Sequence, residues 1–516
     1  MQFGKLVTNM ARSGDDTQGL ETALSGMRLS AEEQGVLGEP RVTRLARVTQ
    51  LFFLDSYFDR LRYLQARRQR YNRLQNETLP KISDPAERRA VIKKYQGRER
   101  AMLRKRRSKL SYGDFDILTQ VGQGGYGQVY LARKRDTREV CALKVLNKKL
   151  LVKLDEIQHT LTERDILTQS EKTPWLVQLL YSFQDPENVY LAMEFVPGGD
   201  FRTLLNNTGT LGARHTRFYI SEMFLALDAL HQLNFIHRDL KPENFLITAD
   251  GHIKLTDFGL AAGKISKNHI DTLMKRLAQV AANDGGESSS TDDYASFSVK
   301  QRQNMYKISR QADMERANSI VGSPDYMALE VLQGDSYDYT IDYWSMGCML
   351  FEALVGYPPF AGRTSQDTYQ NLRHWKEFLR RPQYENGQWV FSDRTWDLIR
   401  RLVTTPTYRL KSFREISSHP YFSDVKFAEI RSQKPPFIPD LDGDADPGYF
   451  DDFENEADMA KYKEVMNKRQ QVEEMEGQGQ EMKNNDFIGF TYRHVKPSQL
   501  ELGTVRGGEY GPSTIL

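Results

Sequence analysis

The sequence has little cysteine: two among 516 residues. Cys141 and Cys348 lie inside apolar segments, where a thiol serves as a small buried hydrophobe rather than a catalyst or metal ligand. At most one disulfide could form, so no disulfide framework holds the fold and a reducing compartment is expected. Long apolar runs are also missing. None approaches the roughly 18 residues that a membrane helix needs, and residues 1–10 show no signal-peptide core, so a cytoplasmic protein without a membrane span is expected. Net charge is small as well, +2 from 71 basic and 69 acidic side chains, which removes any global pull toward nucleic acid or acidic lipid. No internal repeat is present. Charge is concentrated locally instead: residues 41–109 are strongly basic and 440–482 strongly acidic.

That unevenness, with the apolar periodicity, divides the chain. Residues 1–45 are Gly/Ser/Glu-rich and aperiodic, the composition of a disordered terminus. Residues 46–110 form a basic helical region: Leu51, Leu54, Phe58 and Leu61 recur at helical spacing, and Arg67, Arg68, Arg70 and Arg73 follow. Pro80 and Pro85 interrupt it before a second basic helix, 86–107. Such a surface could meet an acidic adaptor protein, nucleic acid or acidic lipid. The apolar stripe beside the arginines suits a protein partner better than a phosphate backbone.

From 115 to 422 the pattern is α+β. Strand-like runs at 115–119, 128–133, 140–146 and 189–195 surround one helix at 157–168, and long helical patterns take over from His215, with a short strand pair at 245–247 and 253–255. An insertion, 262–318, interrupts the helical part. Its centre is Gly/Ser/acidic and its end basic, and a segment of this kind is expected to be functional while lacking fixed structure. Residues 423–516 form an irregular Pro/acidic tail.

The chemistry resides in three motifs. Gly122-Gln123-Gly124-Gly125-Tyr126-Gly127-Gln128-Val129 keeps bulk away from points where backbone must close over phosphates. A dinucleotide site uses similar glycines, but there they open a helix; here a strand follows, and then Lys144 within Cys141-Ala142-Leu143-Lys144-Val145. A lysine there needs a buried partner, which Glu163 on the next helix can supply. His237-Arg238-Asp239-Leu240-Lys241-Pro242-Glu243-Asn244 and Asp257-Phe258-Gly259 complete the set. They offer a base (Asp239), a phosphate-neutralising Lys241, and two Mg²⁺ ligands (Asn244 and Asp257), the groups that phosphoryl transfer needs for positioning and charge stabilisation.

On these motifs the chain resembles the eukaryotic protein kinases over about 115–422, which implies a two-lobed fold and the use of ATP and Mg²⁺. Asp342-Tyr343-Trp344-Ser345-Met346-Gly347 looks like that family's helix anchoring the catalytic loop. Ala328-Leu329-Glu330 stands where Ala-Pro-Glu is usual, with Glu330 expected to pair with Arg409. The resemblance further implies an adenine site including Ala142, Met193, Glu194, Val196, Asp200 and Leu246. Pro436-Phe437-Ile438-Pro439, Phe450-Asp451-Asp452-Phe453 and Phe487-x-x-Phe490-Thr491-Tyr492 resemble the C-terminal extension of AGC kinases, in which Phe450 would touch the nucleotide and the last segment would dock on the small lobe.

The basic N-terminal region and the long insertion resemble the NDR/LATS branch, most closely its fungal mitotic-exit and septation kinases. That likeness implies a Mob-type adaptor bound through Arg67, Arg68, Arg70 and Arg73, an insertion that restrains the active site, an upstream Ste20-like kinase, and locations at the spindle pole body and the division site or septum, with the nucleus as a further compartment. Asp200, Glu243 and Glu352 match positions at which AGC kinases hold substrate arginines, so an Arg-x-x-Ser/Thr preference follows, with Ser323 also at the substrate site. Arg316-Ala317-Asn318-Ser319 itself fits that preference, so Ser319 is an expected self-phosphorylation site. Thr491 has Ile488 three residues before it and is expected to need another kinase. Two competing readings are a catalytically weak kinase-fold scaffold, which would ordinarily lack one of the catalytic groups, and a nucleic-acid binder built on the basic region, which leaves the three motifs unexplained.

Overall fold

A computed structural model of the chain describes residues 63–107 and a few positions before them, 109–124, 127–261 apart from 155 and 171–172, 297–316, 324–453, 455, 487 and 490–493. They fall into two compact units, one within residues 1–107 and one within 108–496.

The first unit is a helical pair. Helix α1 (63–73) runs through a wide turn at Leu74–Thr78 and a tighter one at Leu79–Lys81 into α2 (Pro85–Arg107). The break comes where prolines remove backbone donors. Asp84 restarts the helix by accepting the Ala86 and Glu87 amides at 3.0 and 3.2 Å, as an N-cap does. Leu74 and Leu79 are buried in the turn.

The second unit begins with a six-stranded antiparallel sheet, β1 (Phe115–Gln123), β2 (Gly127–Lys134), β3 (Val140–Asn147), β4 (Leu179–Gln184), β5 (Asn188–Glu194) and β8 (Tyr492–Arg493), in the order β1-β2-β3-β5-β4-β8. The expected strands are present. β4, which the sequence pattern does not single out, joins them, and a tail segment closes the edge. Helix α3 (Ile157–Gln169) packs beside this sheet, burying Thr160, Glu163, Ile166 and Leu167.

The helical part is built on α4 (Phe201–Thr208), α5 (Ala213–Gln232) and, past the insertion, α7 (Leu329–Gln333), α8 (Ile341–Val355) and α9 (Asp393–Leu402), with the β6 (Phe245–Ile247) and β7 (Ile253–Leu255) hairpin between α5 and the insertion. Fourteen of the residues of α8 are buried, the pattern of a helix enclosed on all sides. The end of the insertion, expected to be unstructured, contains helix α6 (Val299–Arg316); residues 262–296 and 317–323 lie outside the described part. Where the tail crosses the helical part, Gly251 (φ +89°) leaves no room for a side chain: a Cβ there would stand 2.1 Å from the Phe437 carbonyl oxygen.

Candidate active site

Register positions the nucleotide side. In β3, Ala142 pairs with Met193 and Lys144 with Leu191 of β5, while Val129 of β2 faces Lys144 across the other ladder. Ala142 and Lys144 are two apart and therefore share one face. Gly122 pairs with Val129 across the first turn, and the Gly124 amide donates to the Gly127 carbonyl at 2.9 Å. A Cβ on Gly127 would meet the Val145 carbonyl oxygen at 1.9 Å, so only glycine lets the turn lie this close to β3. Gln123 ends β1; Gly125 and Tyr126 lie outside the described residues. Met193 and Val196 are buried, Glu194 accepts the Gln178 amide at 2.9 Å and bonds Lys254, and Leu246 bridges to Asp200. Phe450 packs against Phe195, ring centres 5.4 Å apart.

The charged set converges. Lys144 Nζ donates to Glu163 Oε1 at 2.6 Å and stands 3.8 Å from Asp257 Oδ1. Burial pushes the lysine toward neutrality, but Glu163 and Asp257 outweigh it and hold the ammonium charged. Asp257, with φ +61°, is likewise pushed up by burial and held below the usual carboxylate range by Lys144 and Lys241. Lys241 Nζ donates to Asp239 Oδ2 at 2.8 Å, and Asn244 Nδ2 donates to the Asp239 carbonyl at 2.7 Å. Phe258 is buried edge-on to His237, 5.8 Å away.

One carboxylate secures this loop from below. Asp342 of α8 accepts the backbone amides of His237 and Arg238, both at 2.9 Å, and His231 Nε2 at 2.8 Å. Arg238 adopts φ +72°, a conformation that a non-glycine residue holds only when its surroundings impose it. The Arg238 guanidinium lies 5.5 Å over Tyr337, and its Nε and Nη2 are buried without hydrogen-bond partners among the described residues.

Asn244 and Asp257 present the hard oxygen donors that suit Mg²⁺. Among the described residues no cluster of three or more His, Cys, Asp or Glu could hold a metal. A cation here would therefore complete its shell with phosphate and water oxygens, the mode Mg²⁺ prefers.

A second charged cluster flanks the catalytic loop. Arg202, two residues past Asp200, is buried. It donates to Glu352 at 2.6 and 3.2 Å and to Glu243 at 3.3 Å, and also bonds the Tyr326 hydroxyl. Helix α6 adds Arg310, which reaches Glu243 at 2.7 Å, and buries Tyr306 beside the same charges. Burial pushes Glu243 up, but Arg202, Arg310 and Lys241 hold it far below the usual range. Asp200 caps α4 through the Thr203 amide at 2.7 Å, and burial raises its carboxyl to about 6. No motif marks Arg202, Arg310, Tyr306 or Tyr326. The one signal in the sequence is a charged residue in the largely apolar first turn of α4.

The other residues expected to be functional divide clearly. Glu330 and Arg409 form the expected pair, at 2.6 and 3.2 Å. Ser319 and Ser323 lie outside the described residues. Phe487 and Phe490 are buried and Thr491 is exposed. The Phe487 carbonyl accepts Gln184 Nε2 at 2.7 Å, and the Phe490 carbonyl accepts Ser182 Oγ. In the first unit, Arg70 donates to the buried Glu99 at 2.6 Å and Arg67 stands 3.7 Å from it, so these two help hold α1 to α2. Arg68 and Arg73 are exposed.

Residues 115–281 and 305–422 match the protein kinase domain family, and 441–492 match the protein kinase C terminal domain. The chain is 50% identical over 476 residues to serine/threonine-protein kinase sid2 of Schizosaccharomyces pombe, covering 92% of this chain and 76% of the relative. It is 52% identical over 480 residues to cell cycle protein kinase DBF2 of Saccharomyces cerevisiae, covering 92% and 80%. Serine/threonine-protein kinase DBF20 of the same yeast is 51% identical over 485 residues, covering 93% and 82%. With its kinase domain, its AGC-type C-terminal extension and this likeness along nearly the whole length, the chain belongs to the protein kinase family as a serine/threonine kinase of the NDR/LATS branch.

Proposed function

We propose that this kinase transfers the γ-phosphate of ATP to serine or threonine in Arg-x-x-Ser/Thr sequences, and that it serves mitotic exit, cytokinesis or septation together with a Mob-type coactivator. The observation that carries the catalytic part is the contact of the partly buried Lys144 with the buried Glu163, with Asp257 alongside. Lys144 would orient the α- and β-phosphates, Asp239 would accept the proton of the substrate hydroxyl, and Lys241 would balance charge on the transferred group. Bound Mg²⁺, held by Asn244 and Asp257, would supply the main neutralisation of phosphate charge. Val129, Ala142, Met193, Val196, Leu246 and Phe450 would enclose the base.

Three features support regulation. The two unpartnered N–H groups of Arg238 are suited to a phosphate, and Ser319 phosphorylation would supply one. Helix α6 seats Arg310 on Glu243, an acid assigned to substrate arginines, so the insertion would restrain the enzyme by occupying its peptide site. Thr491, exposed beside two docked phenylalanines, would be modified by an upstream Ste20-like kinase. The adaptor would meet Arg67, Arg68, Arg70 and Arg73, of which Arg68 and Arg73 are free of Glu99, together with the exposed apolar side chains Leu61 and Leu64. Spindle poles and the septum are the expected locations.

The test is phosphate transfer to an Arg-x-x-Ser peptide with Mg²⁺ and ATP, using the full chain with adaptor and a Thr491-phosphorylating kinase. Lys144→Arg and Asp239→Asn should each lower kcat by about 10²–10⁴-fold. Unchanged turnover in both would refute the assignment.

A further inference from the structure

Three acids surround the peptide side of the site, but they are not equally available. Both Glu352 oxygens are engaged, by Arg202 and by the Tyr326 hydroxyl. Glu243 receives Arg202 and Arg310 on one oxygen, while its other oxygen is buried and unpaired. Asp200 accepts the Thr203 amide and, though burial raises its carboxyl, is also lowered by the Thr203 side chain; no ion pair engages it among the described residues. Set against Arg202 alone, Asp200, Glu243 and Glu352 leave a surplus of negative charge, which Arg310 reduces while α6 is seated. Arg202 is thus a guanidinium of the chain itself, buried bidentate on a carboxylate that faces the substrate cluster, the geometry that a substrate arginine would otherwise take.

We infer that Arg202 is an internal occupant of a second arginine subsite: it fills Glu352 and shares Glu243, so the enzyme reads one substrate arginine through Asp200 and gains nothing from another. This rests on the basic-substrate reading proposed above. Arg202 is therefore a specificity-determining residue of α4. A guanidinium already tethered in place competes with any substrate arginine at high effective concentration. Removing it exposes an unbalanced buried acid that a second arginine can satisfy.

The experiment compares kcat/KM on peptides carrying arginine three residues before the serine, alone or with a second arginine placed in turn at each other position from six to one before it. The enzyme is the full chain, activated as above. Wild type should change by less than about twofold for any second arginine. Arg202→Met should gain about tenfold or more at one position, and the doubly basic peptide should raise its melting temperature more than the singly basic one does, whereas the two peptides should shift that of wild type equally. Arg202→Met/Glu352→Gln, which removes both charges, should lose the new preference. A purely structural Arg202 would lower stability without creating a positional preference. The inference is overturned if wild type gains more than about fivefold from a second arginine, or if folded Arg202→Met shows no new preference; the wild-type profile decides even if Arg202→Met fails to fold. Indifference to the arginine at minus three would instead refute the basic-substrate reading, and that arm is measured separately.

Discussion

Replacing Arg310 by alanine is expected to activate the kinase before any phosphorylation. The residue contributes one charge-assisted hydrogen bond, at 2.7 Å to Glu243, with both side chains about a quarter exposed. Bonds of this kind contribute about 1.5–3 kcal/mol net, and partial exposure argues for the lower half of that range. Other polar anchors of α6, among them Gln303 to the Val355 carbonyl at 2.7 Å and Ser309 to the Arg363 carbonyl at 3.0 Å, contribute about 1 kcal/mol each and remain. Loss of about 2 kcal/mol multiplies the withdrawn population of α6 by about thirtyfold, up to the point at which withdrawal is complete. The assay is kcat/KM of the unphosphorylated full chain on an Arg-x-x-Ser peptide at saturating ATP, with the gain expected mainly in KM. Lys307→Ala is the control, since Lys307 lies exposed on the same helix and carries the same charge. An equal rise with the control would attribute the effect to bulk charge, and no rise with Arg310→Ala would refute restraint by this helix.

Other outcomes follow from the same geometry. Glu330→Gln leaves the fully buried Arg409 without its counter-charge and should destabilise the kinase unit by about 3–5 kcal/mol, read as a fall of order 10 °C in Tm. Phe490→Ala removes a side chain with no exposure, a loss of about 3–5 kcal/mol; hydrogen exchange should show 487–493 released from β4 while α5 and α8 stay protected, and coincident loss throughout would contradict this. Asp200, raised to about 6, must be ionised to hold a substrate arginine, so acid should weaken peptide use. Between pH 7.5 and 5.5, kcat/KM for the arginine peptide should fall about fourfold from this group, a component that Asp200→Asn should lack.

What can be read from the sequence follows from how far apart the interacting groups lie along the chain. The catalytic loop and the Asp257 turn are contiguous, so residue order alone exposes them. Lys144–Glu163 is inferable because a lysine in an apolar strand demands a partner and a helix follows. Arg202–Glu352 joins residues 150 apart, and neither flank marks the contact. Helix α6 is mostly polar and depends on tertiary anchors, so its sequence resembles solvated chain. β4 reads Leu-Leu-Tyr-Ser-Phe-Gln, without clean alternation, because neighbours cover it on both sides. β8 is two residues long and exists only because the edge of β4 receives it. Arg67 and Arg70, expected as adaptor contacts, also meet Glu99, an acid 29 residues beyond Arg70 that the basic run conceals.

The tail touches both ends of the catalytic machinery. Phe437 closes on Gly251 in the helical lobe, Phe450 packs against Phe195 at the junction, and Phe490 is buried beside β4. If Phe450 lines the nucleotide site as proposed, one covalent thread would link nucleotide occupancy to the seating of its own far end. Whatever free energy a nucleotide gains from a seated tail, the tail must regain from a bound nucleotide, because such linkage is reciprocal. On the proposed reading, an occupied nucleotide site would steady the 487–493 segment and an empty one would loosen it, a dependence that no residue of the nucleotide pocket could create alone.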